Sequence, residues 1–146
     1  MSPKTKKTNI QAADRWTKDL AKQGHTQVVK PFLAFYPLLN ITPSEALLII
    51  NLMSYKWGPE NPYPSARKLA MRMGVEGTRR VRQMLKNLED KGLLFREERR
   101  RDDGGKTSNS YDLKPLFIRL EHLMETDEGK RLLHQTENLG GADESA

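Results

Sequence analysis

Between residues 42 and 92 the chain is cut into three helices by signals that leave little freedom over where each begins and ends. Thr42-Pro43-Ser44-Glu45 is a helix start. The threonine caps, proline takes the first helical position, and glutamate three residues after the cap can close a capping box. The segment that follows, to about residue 57, carries Ala46, Leu47, Leu48, Ile49, Ile50, Leu52 and Met53. It is apolar on nearly all sides, which predicts a central core helix. Gly58-Pro59 ends it, and Pro62-Tyr63-Pro64 must be extended or turning because each proline restricts the residue before it. Ser65 caps a second, shorter helix with Leu69, Ala70 and Met73 inward, and Gly74-Val75 makes the turn after it. A third helix spans about 78–91 and stops at Gly92. Val81, Met84, Leu85 and Leu88 form its apolar stripe, and the 100° spacing puts Arg79, Gln83 and Lys86 on the opposite face.

The flanks are less sharply marked. Residues 1–8 are rich in Lys, Thr and Ser and read as a disordered basic arm. From Asn9, a capping residue, Ala12, Ala13, Trp16 and Leu20 keep a helical spacing up to Gly24. One thin stripe cannot hold a helix alone, so this segment must dock on something. Residues 27–30 read as extended before Pro31, and Phe32, Leu33, Phe35, Tyr36, Leu38 and Leu39 as a short helical or irregular piece packed on the core. Residues 9–41 thus form an N-terminal helical extension. After Gly92 the pattern changes: Leu93-Leu94-Phe95-Arg96 reads as a strand, 99–106 as a charged turn-forming loop, and 107–113 as a returning strand, together a β-hairpin. Pro115 opens a helix with Leu116, Phe117, Leu120, Leu123 and Met124 on one stripe. Thr126-Asp127-Glu128 starts another to about residue 138, and 139–146 is a loose tail. There is no internal repeat.

Lys and Arg number 25 against 19 Asp and Glu, a net charge of +6. The excess sits in residues 1–30 and 65–106, whereas 107–146 is acidic. This suggests a polyanion-binding surface with the tail kept away from it, as against a merely solvated charged surface. The absence of cysteine excludes disulfides, thiolate metal sites and cysteine nucleophiles. No apolar run approaches the ~20 residues of a membrane span, and the basic N-terminus lacks the apolar stretch of a secretory signal. The expectation is a cytoplasmic protein. His25, His122 and His134 are scattered, and Gly104-Gly105 lacks the strand and helix that flank a phosphate loop. Neither catalysis, nor a metal or cofactor, nor a small-molecule substrate is expected.

The order of elements is that of a winged helix-turn-helix domain. Leu69-Ala70, Gly74-Val75, Val81-Arg82, Leu88-Glu89 and Lys91-Gly92-Leu93-Leu94 resemble that superfamily's core, turn and helix-exit positions. Pro64-Ser65 and Ser108-Asn109-Ser110-Tyr111-Asp112-Leu113 resemble a subgroup found in bacterial, phage and plasmid regulators and replication initiators. The similarity spans roughly residues 42–120. It implies a mainly α (α+β) fold, with a winged helix-turn-helix at 42–113, a hairpin wing, and flanking helices at 9–41 and 114–138. The stretch from Gly74 to Val81 is one residue longer than the most compact spacing, which leaves the base-facing register open by a residue.

The major groove, about 12 Å wide, admits one helix that shows polar side chains outward and is anchored by its other face. The 78–91 segment meets both demands. Arg79 and Gln83 can pair bidentately with guanine and adenine edges and Lys86 with phosphate; Thr78, Arg80 and Arg82 complete the candidate set. Ser65, Arg67 and Lys68, at the start of the preceding helix, suit phosphate contacts. Arg99, Arg100, Arg101 and Lys106 are the expected wing grip on backbone or minor groove, unless the arginines pair with Glu97, Glu98, Asp102 or Asp103. Trp16 and Trp57 read as packing residues. The chain is therefore expected to bind double-stranded DNA sequence-specifically, as a transcription regulator or a replication or partition factor. The alternative is a winged-helix module that grips protein within a larger complex. A homodimer is expected through Trp16 and Leu20 with Leu116, Phe117, Leu120, Leu123 and Met124. The competing possibility is that these segments fold back onto their own domain.

Overall fold

The computed structural model describes residues 15–55, 60–100, 102–105 and 107–137. In chain order the elements are α1 (Lys18–Lys22), α2 (Lys30–Phe35), a 3-10 turn (Tyr36–Leu39), α3 (Pro43–Ser54), α4 (Ala66–Met73), α5 (Arg79–Asp90), β1 (Phe95–Glu97), β2 (Ser110–Asp112), α6 (Lys114–Met124) and α7 (Asp127–Glu137). The described chain is mainly helical, with one two-stranded antiparallel sheet.

The capping box at Thr42 is fully formed. Thr42 N–H donates to Glu45 Oε1 at 2.9 Å and Glu45 N–H to Thr42 Oγ1 at 3.1 Å. The same carboxylate reaches across to α5: Lys91 Nζ lies 3.3 Å from Oε1, and Asn87 Nδ2 donates to Oε2 at 3.4 Å. Lys91 Nζ also donates to the carbonyl of Asn40 at 2.7 Å, so one cation ties the turn before α3 to the end of α5. Burial pushes the Glu45 carboxyl up, but the Thr42 N–H, the Lys91 ammonium and the Asn87 amide outweigh it and hold the group below the ordinary glutamate value.

α4 and α5 end in the same way. Gly74 (φ 71) and Gly92 (φ 73) take the left-handed conformation that glycine adopts without steric cost. The following residues close the turn backward, Val75 N–H to Ala70 O and Leu93 N–H to Leu88 O, each at 3.0 Å. Leu93 and Leu94, expected in the first strand, are instead buried at this helix exit, and the strand begins at Phe95. The returning strand likewise shortens from 107–113 to Ser110–Asp112. The register pairs Phe95 with Asp112, Arg96 with Tyr111 and Glu97 with Ser110. On the other side of β2, Tyr111 N–H donates to Pro62 O at 2.8 Å, which fastens the hairpin to the segment leading into α4.

The core is continuous from Phe32 to Leu120. Phe32 and Phe35 of α2 are fully buried, each contributing about 1.5–3 kcal/mol, and α2 packs against both α6 and α7. Both flanks of the three central helices therefore cover each other. At the α6–α7 corner Gly129 is backed so closely onto the Leu123 carbonyl that a Cβ there would stand 1.9 Å from its oxygen.

Three expectations are corrected. Within the described residues the 9–24 helix is interrupted by a bend at Trp16, because the Thr17 hydroxyl accepts the Leu20 N–H at 3.1 Å and starts a new helix; residues 9–14 lie outside the described part. No side chain of α1 is buried among the described residues, in keeping with a stripe that its own chain does not cover. α3 ends at Ser54 rather than near 57, and Leu47 faces outward, so the helix is buried on one side and not all round; Trp57 lies outside the described residues.

Candidate nucleic-acid interface

The two faces of α5 differ in chemistry. Val81, Met84, Leu85 and Leu88 are buried against the core, and Arg79, Arg80, Arg82, Gln83 and Lys86 are exposed. Thr78, Arg79, Arg82, Gln83 and Lys86 line an open hollow of about 480 Å³, and Arg96 enters it from β1. Arg80 is exposed but does not line the hollow.

The polar fittings of this face are graded. Gln83 Nε2 donates to Asn87 Oδ1 at 3.0 Å, and Asn87 is itself fixed to Glu45, so the capping box orients a side chain on the exposed face. Lys86 faces Asp90 at 3.6 Å with both side chains mostly in water, a pair of little strength that another anion can displace. Arg79 and Arg82 have no hydrogen-bond or charge partner among the described residues. Arg96 is held by Glu89: Nε and Nη2 both reach Oε1, at 3.0 and 2.8 Å. Its Nη1 is left without a partner among the described residues.

At the start of α4, Ser65 Oγ accepts the Lys68 N–H at 3.1 Å, which leaves its own proton to donate outward. Arg67 and Lys68 are exposed and lie outside the hollow. Two of the hairpin arginines, Arg99 and Arg100, are tethered. The Arg99 guanidinium stacks 3.9 Å above the Tyr63 ring, and Arg100 lies 3.4 Å from Glu98 and 3.4 Å from the Gly104 carbonyl. Arg101 and Lys106 lie outside the described residues.

A second groove, of about 530 Å³, adjoins the first through Arg82 and Arg96. Ser65 from the start of α4 and Ser108, Asn109 and Tyr111 from the returning chain complete its polar wall, and Glu98 is also on its lining. Burial raises the Tyr111 hydroxyl above the ordinary tyrosine value, against the pull of Arg96, Asn109 and Arg82, so it stays protonated at neutral pH. Sequence reasoning missed Arg96, Ser108, Asn109 and Tyr111 as site residues. The alternation of a strand puts Arg96 on the opposite face from Phe95, but only the register places it beside Tyr111.

The residues expected at a dimer interface divide. Leu116 and Leu120 are buried in the core of this chain and Leu123 is half-buried against it, so the fold itself covers most of that stripe. Trp16, Leu20, Phe117 and Met124 remain exposed. Among the described residues no helix is long and apolar enough to cross a membrane.

The family model of the DnaD N-terminal domain matches residues 28–131. The chain belongs to this family. Among solved structures it is similar to the N-terminal domain of the DnaD protein from Geobacillus kaustophilus, with a TM-score of 0.57 and 24% identity over 82% of this chain and 93% of that one. A further match is a possible transcriptional regulator from Methanosarcina mazei, with a TM-score of 0.47 and 16% identity over 77% of this chain and 91% of that one. No curated protein sequence matches the chain. The matched range of the DnaD N-terminal domain contains both grooves and the whole of α2 to β2, and it excludes the segment of Trp16 and Leu20.

Proposed function

We propose that this chain is a double-stranded DNA-binding module of the winged-helix type. In this reading α5 enters the major groove, the hairpin loop at 99–106 meets the backbone or minor groove, and Ser65, Arg67 and Lys68 hold phosphate. The observation that carries it is the α5 hollow: Arg79 and Arg82 stand unpaired beside Gln83 and Lys86, on a helix whose opposite face is locked in the core. Arginine and glutamine are the side chains that read guanine and adenine edges, and a rigidly seated helix presents them at low entropic cost. Membership of the DnaD N-terminal domain family supports a role in replication or its regulation in a bacterial, phage or plasmid system. The module acts by binding, without catalysis, and as a homodimer through the exposed Trp16, Leu20, Phe117 and Met124.

The second reading is a module that grips another protein. Exposed Leu33, Phe117 and Ile118 favour it, as does the partial neutralisation of Lys86 and Arg100 by Asp90 and Glu98. Salt titration of duplex binding separates the two. Each neutralised phosphate makes log affinity fall by about 0.9 per unit of log salt, so DNA binding by this face gives a slope of several units. Failure to bind duplex at low salt refutes the first reading.

A further inference from the structure

We propose that the groove between the start of α4, α5 and the hairpin is a pocket for one phosphate group, supplied either by a DNA backbone diester or by a free phosphate compound. The source of the phosphate rests on the DNA-binding reading; the pocket does not. Two guanidiniums from different elements converge there, Arg82 from α5 and Arg96 from β1. Glu89 holds Arg96 through Nε and Nη2, which fixes the guanidinium plane and leaves Nη1 to donate to a further acceptor. Arg82 has no partner among the described residues, so its charge is uncompensated there. The wall adds neutral donors: the protonated Tyr111 hydroxyl, the Asn109 amide bonded to it, and the Ser65 hydroxyl, whose lone pair is already used by Lys68 N–H. Ala66, the first residue of α4, also lines the groove. Glu98 is the opposing charge on the lining, and Arg100 at 3.4 Å partly neutralises it. A volume of about 530 Å³ is within the range of small-ligand sites.

The pocket spans three elements that DNA binding would otherwise use separately. A phosphate seated there bonds to α5, to the hairpin and to the start of α4 at once, which fixes the hairpin against the helix.

The test uses the whole chain, with inorganic phosphate as probe against chloride at equal ionic strength, followed by amide correlation spectra. Saturable shifts at Ala66, Arg67, Ser108 and Asn109 are expected, and Arg96→Gln and Asn109→Asp should each abolish saturation. In parallel, duplex affinity is measured across salt for the wild type and Arg96→Gln. A slope reduced by about 0.9, with equal losses on preferred and random duplex, assigns the phosphate to the DNA backbone. An unchanged slope with phosphate binding lost assigns it to a free phosphate compound. Absence of saturable shifts in the wild type overturns the pocket, whichever way the variants behave. A chain that binds no duplex refutes the DNA reading alone, and the phosphate titration still decides the pocket.

Discussion

Replacing Glu45 by alanine is expected to cost about 2–3 kcal/mol, although the residue lies at a helix start and touches no ligand. The side chain is only 3% exposed and serves three donors: Thr42 N–H, Lys91 Nζ and Asn87 Nδ2. Its half of the capping box contributes about 1 kcal/mol. The Lys91 pair is about one-third exposed on the lysine side and contributes about 0.5–1 kcal/mol, and Lys91 keeps the Asn40 carbonyl when the carboxylate goes. The lost methylene contacts add about 0.8 kcal/mol. Glu45→Gln keeps the shape and the acceptor for Thr42 but removes the charge and turns an amide donor toward Asn87 Nδ2, so it should cost about 1–2 kcal/mol. Urea unfolding with unchanged m-values measures all of these. The pH dependence has a definite sign. The folded carboxyl lies below its unfolded value of about 4.3, so its contribution is fully present above that value and is lost as pH falls through the folded one. The wild type should therefore keep its advantage over Glu45→Gln down to about pH 4.3 and lose it only on further acidification. Equal stabilities at pH 7, or an advantage that grows on acidification, would refute the assignment of the charge to this lock.

Gly129→Ala should destabilise by more than 2 kcal/mol, since its methyl would meet the Leu123 carbonyl and α7 must shift off α6; an unchanged thermal midpoint would contradict that close approach. Arg79→Ala should cost about 1–3 kcal/mol on the preferred duplex and relax the preference at one base pair. Equal losses on preferred and random DNA would assign Arg79 to the backbone instead. Changing Arg99, Arg100 and Arg101 together to alanine should weaken all duplexes alike and flatten the salt slope; an unchanged slope would mean that the hairpin loop does not meet DNA. In sedimentation at micromolar concentration a dimer is expected, and a mass near 16.8 kDa together with half-site binding as tight as binding to paired sites would refute it.

The three central helices were legible because their limits are local. The box at Thr42, the cap at Ser65 and the left-handed exits at Gly74 and Gly92 each act within a few residues, and the stripe of Val81, Met84, Leu85 and Leu88 follows from a fixed period. The polar band of Arg79, Gln83 and Lys86 was legible for the same reason. The N-terminal segment was misread because a helical period does not reveal where a further cap restarts the helix, as Thr17 does here. The stripe at Leu116 and Leu120 was read correctly as apolar, but its cover was assigned to a second chain, whereas α2 supplies it from some eighty residues away.

The amino-acid sequence by itself determined where α3, α4 and α5 begin, where α4 and α5 end, and which face of α5 is charged. Those choices depend on caps, glycine φ values and a period of 3.6, all set by neighbours along the chain. Only the tertiary structure decided that Glu45 locks Lys91, that α2 closes over α6 and α7, and that Arg82, Arg96, Ser65 and Tyr111 face one groove. Those groups come from segments separated by loops. Their meeting depends on how the helices cross and on the register of a three-residue hairpin, and neither is set by the spacing of residues within one element.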